Sequence, residues 1–165
     1  MVIFTPNTVI RSTEVNSNFD DLDKGRVHNP YKFSAYMSSY QTTVATSWTK
    51  LNMDTEEYDT NNNYSTSTYG YTAPISGLYL FTVMCQLLSQ TGSPYLVAFS
   101  KNGTTEHLRG QEIPNTTGNI TLQGTAAINL TAGEIVYPIY YSGQGGKTLQ
   151  YGSAYTRFSG ILLSV

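Results

Sequence analysis

Four stretches of the chain hold residue types that can do chemistry. The first, "GQGGKT" at 143–148, ends like a phosphate-binding loop, in which backbone N–H groups cradle the anion and a Lys neutralises it. That motif requires Gly where Tyr141 stands, and "LQYGSAY" supplies no following helix, so a loop between strands is expected. The second, "NMDTEEYDTNNN" at 52–63, gathers Asp54, Glu56, Glu57 and Asp59, hard oxygen donors of the kind that bind Ca2+. Counted from Asp59 as an EF-hand loop, the obligatory Gly is Tyr64 and the closing Glu is Gly70, so the pattern fails. A solvated acidic loop is expected, with a calcium site near Asp54 to Asp59 left open. The third, His28 with His107, has no Cys or carboxylate at metal-ligand spacing. The fourth, Cys85 in "LFTVMCQLL", is the single cysteine, forms no internal disulfide and reads as a small buried apolar residue. Catalytic triads and carboxylate pairs are spatial arrangements, so sequence order singles out no catalytic residue, no metal site and no cofactor.

The elements that would position such residues are strands. Charged residues make up 12% of the 165, half of the roughly 25% usual in soluble proteins, while aromatics reach 13% with 14 Tyr. Such a chain, rich in aromatic and β-branched residues, favours sheets. Its length suits one domain with a short appendage. A formal charge of -2 gives no basic field for nucleic acid or anionic lipid. No apolar run approaches the ~20 residues of a membrane span, and "MVIFTPNTVI" lacks the basic flank and apolar core of a signal peptide. Neither nucleic-acid binding nor membrane insertion is expected. The sequons at Asn63, Asn102, Asn115, Asn119 and Asn129 are expected to stay bare.

From Tyr31 onward, strand-like runs alternate with turn residues. Strands are predicted near 33–40, 44–52, 68–73, 78–89, 95–101, 104–109, 119–130, 135–141, 148–151 and 156–165. Asn102-Gly103 can supply the positive φ of a hairpin turn, and "TAGE" at 131–134 marks another. Pro138 removes a ladder donor, which predicts an edge strand or a bulge there. "NITLQGTAAINL" alternates, with Ile120, Leu122, Ala126, Ile128 and Leu130 on its apolar side. "GLYLFTVMCQLL" does not: Tyr79, Phe81, Val83, Cys85 and Leu87 share one side, and Leu78, Leu80, Met84 and Leu88 the other. A sandwich buries one side of each strand, so the second side needs a cover, either a neighbouring copy or another part of the same chain. The apolar ending "TRFSGILLSV", with Ile161, Leu162, Leu163 and Val165, predicts a paired strand inside the core.

The first 32 residues differ. Ser12 can cap a short helix that Gly25 closes, with Val15, Phe19 and Leu22 on one side. So short a helix is marginal alone and needs a packing partner.

"YTAPISGLYLF", residues 71–81, resembles the signature of the complement component 1q globular head. There an aromatic, a small residue and Pro precede Gly-x-Tyr-x-Phe; here Tyr71, Ala73, Pro74, Gly77, Tyr79 and Phe81 take those places. "FSA" at 33–35, Tyr58-Asp59, "AGEIV" at 132–136 and "FSGILL" at 158–163 resemble the family's flanking segments in order. The resemblance covers about 33–165 and implies an all-β fold, a ten-stranded antiparallel jelly-roll sandwich related to tumour necrosis factor and assembled as a homotrimer. In such a trimer Leu78, Leu80, Met84 and Leu88 are expected to face neighbouring subunits, with Tyr79, Phe81 and Val83 in the core. No collagen-like Gly-x-y repeat precedes the head, and "TNNNYSTS" lengthens one loop, so no collagen stalk and no complement role are carried over.

The leader "TPNTVIRSTEVNSNFDDL" resembles N-terminal segments of bacteriophage fibre and other virion appendage proteins, through Val15, Asn16, Asn18, Phe19 and Leu22. The two resemblances divide the chain into an attachment segment, 1–32, and a head domain, 33–165. They imply a non-enzymatic virion protein that binds other virion proteins through the leader and contacts a host-surface glycan or protein with its head. Three alternatives stay open: a capsid decoration or cementing protein, a polysaccharide depolymerase, and a cellular or spore-surface ligand-binding module.

Overall fold

The computed structural model describes residues 31–42, 46–92, 94–103, 105–114, 117–144 and 147–165. The leader, with its predicted helix and His28, lies outside them. In chain order the strands are β1 (Lys32–Tyr36), β2 (Gln41–Thr42), β3 (Thr49–Lys50), β4 (Thr55–Asp59), β5 (Tyr64–Ser65), β6 (Gly70–Thr72), β7 (Gly77–Thr91), β8 (Tyr95–Lys101), β9 (Glu106–Ile113), β10 (Thr117–Leu130), β11 (Ile135–Ser142), β12 (Thr148–Leu149) and β13 (Arg157–Ser164). One sheet runs β2-β12-β7-β13-β1-β4, with β10 also paired to β7. The other runs β5-β6-β11-β8-β9, with β3 also paired to β11. Every pairing is antiparallel.

Aromatic packing between the sheets explains the signature residues. Phe33 stacks on Tyr71 at 4.6 Å and meets Phe158 edge-on at 4.9 Å, while Phe81 stacks on Phe158 at 5.7 Å. Each such pair adds about 0.5–1.5 kcal/mol beyond area burial. Gly160 makes the stack possible, since a Cβ there would lie 2.6 Å from Phe81 and 2.7 Å from Phe33. Gly77 is required for a similar reason, because its Cβ would sit 2.5 Å from the Ser164 carbonyl oxygen. Tyr79 is buried, and its hydroxyl donates to the Ile75 carbonyl at 2.8 Å.

Several expectations need correction. Thirteen strands replace ten among the described residues, four of them only two residues long. The run expected at 33–40 stops at Tyr36 and resumes at Gln41; that at 44–52 retains Thr49–Lys50. The acidic stretch is not a loop: Thr55–Asp59 pairs with β1 through a bulge between Ser34 and Ala35. Alternation was weak there, so its strand character was hidden behind its charge.

Pro138 lies neither on an edge nor at a bulge. β11 is internal, and Pro138 sits opposite Phe99 in regular register. Its carbonyl accepts from Leu51 N at 3.0 Å, so the flank that would have needed its N–H is the one facing β3 and β6. Those two strands pair with β11 at residues 139–140 and 135–136, and the missing donor falls in the gap between them.

The turns follow the sequence more closely. Asn102 adopts φ 59 between β8 and β9, and its Oδ1 accepts from Ile135 N at 2.7 Å. Gly133 adopts φ 89 in the 131–134 turn, where Glu134 accepts from Thr131 N and pairs with Lys101, both at 2.8 Å. The Lys101 hydrogen bond, joined by the Thr131 amide, holds the Glu134 carboxyl below its ordinary value.

Candidate interaction face on the first sheet

β7 separates its residues as a strand must. Tyr79, Phe81, Cys85 and Leu87 are fully buried and Val83 nearly so. Burial raises the Cys85 thiol to about 12, so it stays protonated and unreactive. Leu78, Leu80, Met84 and Leu88 all project to the opposite side, where Leu78 is 36% exposed and the others are half-buried. The four do not form one continuous patch. Thr82 and Gln86 interrupt the row, and Gln86 Nε2 donates to Thr121 Oγ1 at 3.3 Å.

Continuity comes instead from β13, which is paired as expected but lies only partly in the core. Phe158 and Leu162 do turn inward, Phe158 fully buried and Leu162 against the core cluster. Ile161 and Leu163 turn outward, 37% and 52% exposed, and Val165 is 89% exposed. Ile161 lies opposite Leu80 in the ladder, and Ala127 of β10 flanks Leu80 from the other side. Tyr58 of β4, 47% exposed, joins this group. Leu80, Thr82, Ser159, Gly160, Ile161 and Tyr58 line a depression of about 110 Å³. The alternation within "FSGILL" was the available signal, and the apolar character of the ending masked it.

Several polar side chains of this sheet are already paired. Thr82 Oγ1 and Ser159 Oγ share a hydrogen bond of 2.7 Å. Glu57 Oε2 accepts from Ser34 Oγ at 2.7 Å and from Arg157 Nη2 at 2.9 Å, while the same guanidinium nitrogen donates to Ser34 Oγ at 3.0 Å. Asp54 accepts from the N–H and hydroxyl of Ser38, both at 2.8 Å, and Asp59 from Tyr64 N at 2.7 Å. Asp54, Glu57 and Asp59, three of the four acidic side chains of this stretch, are thus tied to separate partners, and no group of three metal-ligating side chains occurs among the described residues. His107 is exposed on β9, and Lys147 of the Gly-rich stretch immediately precedes β12 with no helix beyond it. Val15, Asn16, Asn18, Phe19 and Leu22 lie outside the described residues.

The other sheet finishes its outer side with its own chain. Ala98, Tyr137 and Ile139 are buried there beneath half-buried Trp48 and Ile135. Lys50 Nζ sits 3.4 Å above the Tyr137 ring, and Trp48 packs on Tyr141 at 5.4 Å.

Comparison with known proteins agrees with this geometry. The globular domain of zebrafish complement 1qA superposes with a TM-score of 0.60 at 15% identity, covering 81% of this chain and 97% of that one. Eiger TNF from S. frugiperda gives 0.60 at 9% identity over 81% and 92% of the two chains, and murine APRIL 0.61 at 9% over 80% and 98%. At these identities the likeness is one of fold. No curated protein matches by sequence. Residues 32–163 match the family described as the C1q domain, and the chain belongs to that family.

Proposed function

We propose that this protein is a non-enzymatic, homotrimeric head of a bacteriophage virion appendage. Residues 1–32 attach it to other virion proteins, and the head contacts the host surface. The observation that carries the assembly is the outer side of the first sheet, where Leu78, Leu80, Ile161 and Leu163 form an apolar group that no described part of the chain covers. Scattered exposed hydrophobics are ordinary, but a contiguous group around a depression calls for a partner, and copies of the same chain are the commonest partner. Leu78, Leu80, Met84 and Leu88 are the subunit contacts from β7, with Ile161, Leu163 and Tyr58 beside them. Membership of the C1q domain family supports a non-enzymatic head over a catalyst, as does the engagement of Asp54, Glu57 and Asp59 in structural hydrogen bonds.

The virion placement rests on the leader's resemblance to appendage segments through Val15, Asn16, Asn18, Phe19 and Leu22. Labelling purified particles with an antibody against the head tests it, with a chain lacking residues 1–32 as the comparison. The full chain is expected at a fixed position on the particle, and the shortened chain is expected to be folded but absent from it. Incorporation without residues 1–32 would refute the attachment role, and particles free of label would refute the virion assignment.

A further inference from the structure

We infer that the end of the first sheet farthest from Lys32 and Val165 carries a binding site for an uncharged pyranose glycan, built on the rings of Tyr40 and Tyr151. This deepens the host-contact reading above and rests on it for the biological role. Tyr40 is 55% exposed and Tyr151 41%, and their rings meet perpendicularly with centroids 4.6 Å apart. Tyr155, 45% exposed, belongs to the same turn as Tyr151. One exposed ring is ordinary, but exposed rings in mutual contact form an aromatic patch, and patches mark binding surfaces.

These rings are held firmly. Ser38 is clamped by both oxygens of Asp54 at 2.8 Å. Gln41 donates to the Lys50 carbonyl at 2.9 Å and accepts from Asn52 N at 3.0 Å, bridging the two arms of its loop. Across the β2–β12 pair, Gly152 N donates to the Met37 carbonyl at 2.7 Å, and Gln150 N to the Gln86 carbonyl at 2.8 Å. Gly152 takes φ 104, a conformation open to glycine, so that the turn can present Tyr151 and Tyr155. Rings fixed before binding lose little entropy when a ligand arrives.

The surroundings select the ligand. Residues 36–42, "YMSSYQT", and 148–156, "TLQYGSAYT", contain no Asp, Glu, Lys, Arg or His. A surface of aromatic faces rimmed by hydroxyl and amide groups complements the C–H face and hydroxyl rim of a neutral sugar, and charged side chains at its border are already engaged, Asp54 with Ser38 and Arg157 with Glu57. A phosphate, a uronic acid or an anionic membrane would have to displace Glu57 to reach that guanidinium. A protein partner is the lesser fit, since interfaces between proteins usually add Arg to the aromatic residues. A single site of this kind is weak, and three on one trimer would gain about 10²–10⁴ through effective concentration.

Saturation-transfer NMR on the full chain tests the site, with the methyl glycosides of glucose, galactose, mannose and N-acetylglucosamine as probes and methyl glucuronide as the charged comparator. Transfer to at least one neutral glycoside is expected, reduced about three- to tenfold by Tyr151→Ala or Tyr40→Ala. Tyr40→Phe keeps the stacking face and should retain most of the signal, and Leu108→Ser on the other sheet should retain all of it. Near-ultraviolet circular dichroism confirms that each variant is folded. The inference is overturned by no transfer to any neutral glycoside, by transfer that survives both alanine variants, or by stronger transfer to the glucuronide. It is also overturned if Tyr151→Ala dissociates the assembly, which would make the rings a subunit contact. A trimer without transfer rejects this site and leaves the assembly standing; a monomer with transfer does the reverse.

Discussion

The outer sides of the two sheets solve the same problem in opposite ways. On the second sheet, Ile139 and Ala98 are covered by Trp48, Tyr137 and the stem of Lys50, all from the same chain. On the first sheet, Leu80 lies between Ile161 and Ala127 in the ladder, and Leu78, Ile161 and Leu163 remain exposed to 36%, 37% and 52%. The side chains make the difference: Trp48 and Lys50 reach over the outer side of β11 from beside it, whereas β2 and β12, the short strands added to the first sheet, pair at the Leu87–Leu88 end of β7, away from Leu80 and Ile161. The lesson is that apolar residues on both sides of a strand do not by themselves reveal an interface. What matters is whether a neighbouring segment of the chain is there to cover them.

This contrast can be broken by substitution. The largest effect is expected from ending the chain at Ser159. That removes most of β13 from between β7 and β1, together with Leu162 and the Gly160 seat of the aromatic stack. A domain stable by about 5–15 kcal/mol does not survive that loss. Circular dichroism should show an unfolded or insoluble chain, and cooperative melting of soluble protein would refute this.

Next comes Ile139→Asp on the covered side. A carboxylate in a fully buried site is expected to unfold the domain or to lower its stability by several kcal/mol, read by urea denaturation. Leu80→Asp sharpens the contrast because the same chemistry on the open side should spare the fold. Its far-ultraviolet spectrum should match the parent while its sedimentation coefficient falls to that of a single chain. Unfolding by Leu80→Asp, or assembly unchanged by it, would erase the distinction between the two sides.

The smallest effect concerns the 131–134 turn. The hydrogen bonds from Lys101 and the Thr131 amide depress the Glu134 carboxyl, so its contribution is present above the ordinary carboxylate pKa and is lost as pH falls through the lowered value. Glu134→Gln should lower the melting temperature slightly at pH 7, and the difference from the parent should close as the pH falls below the ordinary carboxylate range. A difference that persists in acid would mean that the carboxylate's charge is not what matters.

Strands with clean alternation or turn punctuation were legible in the sequence. The sides of β7 and β10, the turns at Asn102 and Gly133 and the burial of Cys85 follow from local pattern. The signature glycines were legible only as a resemblance, since their reason is three-dimensional: Gly160 lies under Phe33 and Phe81, which are remote in sequence. The acidic strand β4 was missed because the partner of Glu57, Arg157, is 100 positions away. Pro138 misled for the same kind of reason, since a break between two short strands absorbs its missing donor. The outward turn of Ile161 and Leu163 was obscured by reading an apolar terminus as a buried one.

The most direct test of the central claim is sedimentation equilibrium of the full chain at micromolar concentration in neutral buffer. The proposed assembly predicts a single species of three times the 18.2 kDa chain mass, persisting on dilution. A stable species of 18.2 kDa, with Leu80 and Ile161 protected from solvent by its own chain, would contradict it.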